Sequence, residues 1–111
     1  MRLLNKKLLL KLKRKNRGNL ILQKEIDSLI DLIERNEWKN QQELKQIRMD
    51  ADCVDPDGFY FFNISLHRTM ILIELEENEA TVVWAGSHRE YSRVFKNNKR
   101  TIRAWLSAND W

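Results

Sequence analysis

The sequence predicts an α+β fold in which N-terminal helices pack on a small antiparallel sheet and a last helix closes the chain. Three observations carry this. Leu22, Ile26, Leu29, Ile30 and Ile33 recur at helical spacing, with acids on the opposite side. Three apolar runs follow at 59–65, 69–76 and 80–85, and their hairpin-short separations read as an antiparallel meander. Near the end, Ile102, Trp105 and Leu106 fall on one side of a helix expected over 101–108. A chain of 111 residues holds one core and not two, so 1–111 is expected to be a single domain, with 94–111 a basic C-terminal extension.

Residues 1–4 read as a short strand or lead-in. From 6 to 17, Leu8, Leu9 and Leu12 alternate with Lys and Arg as in an amphipathic helix with a cationic outer face. Gly18 suits the left-handed residue after that helix, and Asn19 the N-cap of the next, which spans 20–35. Asn36 is expected to close that second helix in the left-handed conformation. Asn40-Gln41-Gln42-Glu43 resembles a capping box for a short third helix reaching 46. Residues 48–58 read as a loop ending in the turn Asp55-Pro56-Asp57-Gly58.

In the second strand of the meander, Thr69, Ile71, Ile73 and Leu75 take one face and Met70, Leu72, Glu74 and Glu76 the other. In the third, Val82 and Trp84 alternate with Thr81, Val83 and Ala85. Leu66-His67-Arg68 forms the first hairpin tip or strand start, and Glu77-Asn78-Glu79 the second. Asn97-Asn98 looks like a break before the last helix.

Composition narrows the function classes. Hydrophobic residues make 42% and charged residues 32%, a globular balance. Cys53 is the only cysteine, so no intrachain disulfide forms and a reducing, cytoplasmic setting is expected. One Cys and two His show no metal-ligand spacing, and neither metal nor cofactor is expected. No run reaches the roughly 18 apolar residues of a membrane span. The leucines of the first ten residues are followed by Lys11 and Lys13 rather than a cleavage site, which argues against a signal peptide.

The net charge of +4 hides a segregated pattern. Residues 1–24 carry nine Lys or Arg and no acid, and 86–103 carry six against Glu90 alone. Lys6, Lys7, Lys11, Lys13 and Arg14 in the first block, with Arg89, Arg93, Lys96, Lys99 and Arg100 in the second, are candidate RNA-binding residues. A solvated helix face, or one covered by an acidic protein, is the other reading of such blocks.

Between the sheet and the second block lies Gly86-Ser87-His88-Arg89-Glu90-Tyr91. An imidazole, a fixed cation and a phenol suit work on phosphate and hydroxyl groups. An ordinary polar loop at a sheet edge has the same composition. His67 and Arg68 lie on the neighbouring strand, and whether they meet His88 depends on register. Arg68 has a bland alternative too, an ion pair with Glu74, Glu76 or Glu79, and Tyr91 has one as a core aromatic.

Three segments together resemble the HigB family of toxins from bacterial type II toxin–antitoxin systems, within the RelE-like superfamily. They are Arg2-Leu3-Leu4-Asn5-Lys6-Lys7-Leu8; then Glu37-Trp38-Lys39-Asn40 with Glu43-Leu44-Lys45; then Phe62-Asn63-Ile64, Arg68 and Gly86 to Tyr91. The resemblance implies a RelE-like fold and an endonuclease that cuts mRNA during translation in the ribosomal A site, without a metal. It implies His88 and Tyr91 as acid–base residues, Arg68 as a bidentate phosphate clamp, and Asn63 as a shaper of the strand end. His67 falls where the family has an aromatic or basic residue, suited to stacking or hydrogen bonding with RNA. The partners it implies are mRNA, the rRNA of the ribosome and a helix–turn–helix antitoxin like HigA, with operator DNA met only through that antitoxin. Two departures stand out. Val83 occupies the position of a family arginine, and the chain continues past Tyr91 and Ser92 into a basic tail with Trp105 and Trp111. A non-catalytic RNA-binding module, or a protein-interaction domain with an acidic partner, are the competing functions.

Overall fold

Each apolar stripe finds a sheet face to cover in the computed structural model, which describes residues 1–111. The chain runs β1 (Arg2–Leu4), α1 (Lys7–Lys15), α2 (Leu20–Arg35), α3 (Gln41–Ile47), β2 (Asp52–Asp55), β3 (Phe59–Ile64), β4 (His67–Glu74), β5 (Glu79–Ser87), α4 (His88–Phe95) and α5 (Lys99–Ala108). One five-stranded sheet has the order β1-β5-β4-β3-β2. The meander β3–β4–β5 is antiparallel as expected, and β2 extends it antiparallel beside β3. The sheet is nonetheless mixed, because β1 pairs parallel with β5 across the α1–α3 excursion.

Helices cover both faces. Leu9 and Leu12 of α1, with Leu22, Ile26, Leu29 and Ile33 of α2, join Tyr60, Phe62, Ile71 and Val82 in the larger cluster. On the other face Ile102 and Leu106 of α5, with Tyr91 and Phe95 of α4, close over Phe59, Phe61, Met70 and Val83. Burying an aliphatic side chain of this size contributes about 1.5–3 kcal/mol, so the C-terminal extension is a structural layer rather than an appendage.

Several local expectations change. The α1 helix ends at Asn16, whose amide donates to the Leu12 carbonyl, and Gly18 is not left-handed. Asn19 does cap α2, accepting from Leu22 N. Asn36 is extended (φ −115°, ψ 155°), since its amide reaches back to the Leu32 carbonyl without a left-handed turn. Asn40 caps α3, but the Glu43 carboxylate takes the N–H of Lys39 and the box does not close on the cap itself. Residues 52–55, expected as loop, form an edge strand. Their Asp-rich sequence is strand-poor, and pairing of Asp52 with Phe61 and Cys53 with Tyr60 overrides it. Gly58 closes the Asp-Pro-Asp-Gly turn at φ +104°, where a Cβ would sit 2.7 Å from the Ile73 carbonyl oxygen.

A bulge on β5 breaks the expected alternation. Ile71 pairs with Val82 and Met70 with Trp84, so Val83 is the extra residue. Val82 therefore faces the α1–α2 layer while Val83 and Trp84 face α4 and α5. The indole of Trp84 then lies over Gly86, where a Cβ would come within 2.7 Å of it.

Candidate active site

The segment after the sheet is a helix, not a polar loop. Ser87 accepts from Glu90 N and the Glu90 carboxylate accepts from Ser87 N, a complete capping box that starts α4 at His88. The Ser-x-x-Glu pattern is visible in the sequence and is the signal that identifies this helix. The Ser87 N–H keeps the Glu90 carboxyl below its usual range, with Lys15 and Arg93 contributing charge.

The register that spacing left open is settled by a two-residue turn. Ile64 pairs with His67 around Ser65 (φ 42°) and Leu66 (φ 59°), a hairpin with both central residues left-handed. Arg68 then pairs with Asn63 on one side and Gly86 on the other. The Leu66 carbonyl accepts from His88 N at 3.1 Å, which ties the hairpin tip to the start of α4.

Arg68 is built into this corner. Its guanidinium lies 4.6 Å from the Tyr91 ring centroid and 5.1 Å from that of Phe61, and its Nε donates to Asn63 Oδ1 at 2.9 Å. No carboxylate pairs with it, Glu74 and Glu79 included, so its two terminal nitrogens remain free to donate. Asn63 is fixed in turn. The Arg48–Asp50 pair accepts its N–H on Asp50 Oδ2 (2.8 Å) and donates to its carbonyl from Arg48 Nη2 (2.9 Å). Burial by itself would raise the Asp50 pKa, but hydrogen bonds from Arg48 and Asn63 and the charge of Arg48 hold it below the ordinary value. Neither Arg48 nor Asp50 was singled out by the sequence, because a cation and an acid two residues apart in a presumed loop look like solvated charge.

His88 and Tyr91 differ in situation. His88 is exposed at the first position of α4, with ring centroids 6.3 Å from Tyr91. Tyr91 is 5% exposed, packs edge-on to Phe61, and donates its hydroxyl to Asn97 Oδ1 at 2.9 Å. Tyr91 is thus both a core aromatic and the platform beneath Arg68, with its proton engaged at the far end of α4. His67 leaves this group altogether. Neighbouring residues on a strand face opposite ways, and His67 lines a cleft toward α1 with Leu8 and Leu12.

The basic blocks are thinned by internal pairing. Lys6 bonds Glu34 at 2.8 Å and Lys13 bonds Asp27 at 2.6 Å, so two candidate RNA contacts of α1 are taken by α2 acids. Arg103 pairs with Asp55 and Asp57. Lys7, Lys11, Arg14, Arg89, Arg93, Lys96, Lys99 and Arg100 are exposed and make no ion pair. Val83 is 7% exposed beneath α5, so no cation stands at that strand position.

A family model described as HigB toxin, RelE-like toxic component of a toxin–antitoxin system, matches residues 22–94, more than half of the chain. The match opens within α2 and closes within α4, leaving α1 and α5 outside it. No curated protein matches the chain. No helix is long and apolar enough to cross a membrane.

Proposed function

The chain belongs to the HigB toxin family, and on that premise we propose that it is a metal-independent endoribonuclease that cuts ribosome-bound mRNA and is neutralised by a helix–turn–helix antitoxin. One observation carries the catalytic part. Arg68 is stacked, oriented through Nε and left without an acid, which presents two parallel donors to a phosphate. Its charge would be met by the phosphorane as the RNA 2′-OH attacks the adjacent phosphorus and the 5′-oxygen departs. His88, exposed at the start of α4 with its ring centroid 6.3 Å from that of Tyr91, is the group to take the 2′-OH proton or return one to the leaving oxygen. Tyr91 supports Arg68 through its ring, and its hydroxyl joins the proton transfers only by releasing Asn97. The unpaired cations of α1 and α4–α5 are the contacts for rRNA and mRNA phosphates, and predict binding that falls steeply with salt.

A non-catalytic ribosome-binding module is the second reading, favoured by the buried Val83 in place of a strand cation. Induction in bacteria with mapping of mRNA 5′ ends separates the two. New cleavage sites with growth arrest, absent for His88→Ala and Arg68→Ala, fit the nuclease. Intact mRNA in cells arrested by the wild type fits the binding module.

A further inference from the structure

The sheet has a concave site at the same end as Arg68 but on its opposite face. A cleft of about 350 Å³ runs between α1 and the adjoining ends of β4 and β5. Leu8, Leu12 and Ala85 give it an apolar floor, Lys11 and Lys15 line it with ammonium donors, and His67 adds a ring nitrogen. Both lysines are exposed and unpaired, unlike Lys6 and Lys13 of the same helix. The His67 Nδ1 lies 2.7 Å from the Ser65 carbonyl, which only accepts, so Nδ1 carries the proton and Nε2 is the ring's free nitrogen. Glu90 also lines the cleft, with Oε1 held by Ser87 N and its other oxygen left as an acceptor.

From this set we propose that the cleft binds one nucleotide of a single RNA strand, its phosphate held by Lys11 and Lys15 and its base laid on the apolar floor. His67 Nε2 and the free Glu90 oxygen meet the polar edge of that base, Glu90 accepting from an exocyclic amine. The volume falls within the lower range of small-ligand sites and fits a mononucleotide. An acidic peptide would meet the lysines equally well, but the two acceptors beside the floor, His67 Nε2 and the free Glu90 oxygen, suit the exocyclic amine of a base and repel further carboxylates. Leu66, 81% exposed at the hairpin tip, stands between the His67 cleft and the Arg68 corner. A strand crossing that tip would place one nucleotide in the cleft and a phosphate at Arg68. The proposal rests on the RNA-binding reading given above and does not need the chain to cleave RNA.

The test is a titration of the full chain, followed by backbone amide shifts, with adenosine 5′-monophosphate (AMP), adenosine and inorganic phosphate as separate probes. AMP is expected to bind with Kd on the order of 1 mM, with shifts centred on α1, His67 and Glu90. Lys11→Ala/Lys15→Ala, two surface changes, should weaken it about tenfold. His67→Ala should weaken AMP while leaving phosphate unchanged, and Arg68→Ala should leave AMP binding in the cleft intact. Shifts centred on Arg68, phosphate binding as tight as AMP, or a double variant that binds like wild type would each overturn the subsite. RNA cleavage without cleft shifts would remove the subsite alone. Cleft binding by a chain that cuts no RNA would leave the subsite standing and remove the nuclease.

Discussion

Replacing Asp50 by asparagine probes the pair that holds the strand end beneath Arg68. Asp50 accepts from Arg48 Nε and Nη2, both at 2.7 Å, and from Asn63 N at 2.8 Å. The two side chains are 21% and 26% exposed, so the pair is shielded but not dry. A hydrogen bond to a charged group contributes about 1.5–3 kcal/mol. Asparagine keeps one acceptor oxygen and sets its amide against donors, and partial solvation moderates the loss of charge. The expected cost is about 2 kcal/mol, or roughly 5–10 °C in Tm for a chain of this size. The pH dependence has a definite sign. Asp50 is more acidic folded than its ordinary 3.8, so its contribution is complete above that value and is lost as pH falls below it. Urea unfolding of both proteins should therefore show a gap near neutral pH that narrows as pH drops through about 4 and below. A gap under about 0.5 kcal/mol at neutral pH, or one that widens on acidification, would refute the role given to this pair.

Tyr91→Phe should cost no more than about 1 kcal/mol, because Asn97 can turn to water, whereas Tyr91→Ala should cost about 3–5 kcal/mol by emptying the space among Phe61, Phe95 and Arg68; thermal unfolding of the two variants checks this. Leu66→Asn should stabilise by about 0.5–1 kcal/mol, since an exposed leucine at φ 59° gives up nothing to a residue that tolerates the left-handed region; chemical denaturation with no gain would count against a strained tip. Val83→Arg should destabilise by about 3 kcal/mol or more beneath Ile102 and Leu106, seen as insoluble or unfolded protein on expression. Gly86→Ala should cost about 1–3 kcal/mol in a melting experiment by driving a methyl into the Trp84 indole.

Periodicity made much of the fold legible. The α2 stripe, the three-stranded meander and the α5 face all stand where their apolar spacing placed them, because each is long enough for its period to be unmistakable. Side-chain facing in β5 was not legible, because one bulge at Val83 reverses every residue beyond it and no spacing announces a bulge. The parallel partner of β1 was hidden for a related reason: three residues carry no period, and only the packing of α1 and α2 on the sheet brings them beside β5. At the candidate site, residue types were readable and relations were not. His67 and Arg68 are adjacent in sequence and serve opposite faces. Tyr91 has its hydroxyl bound at the far end of α4, and the Arg48–Asp50 brace joins segments that spacing cannot connect.

Arg68 and His88 are proposed to act on the phosphodiester of ribosome-bound mRNA. Single-turnover cleavage of a translating complex by purified wild type, Arg68→Ala and His88→Ala, each checked for native melting, decides whether they do. Each variant is expected to lose on the order of 100-fold in rate while still binding the ribosome. Cleavage by both variants within about threefold of wild type, or none by the wild type itself, would contradict it.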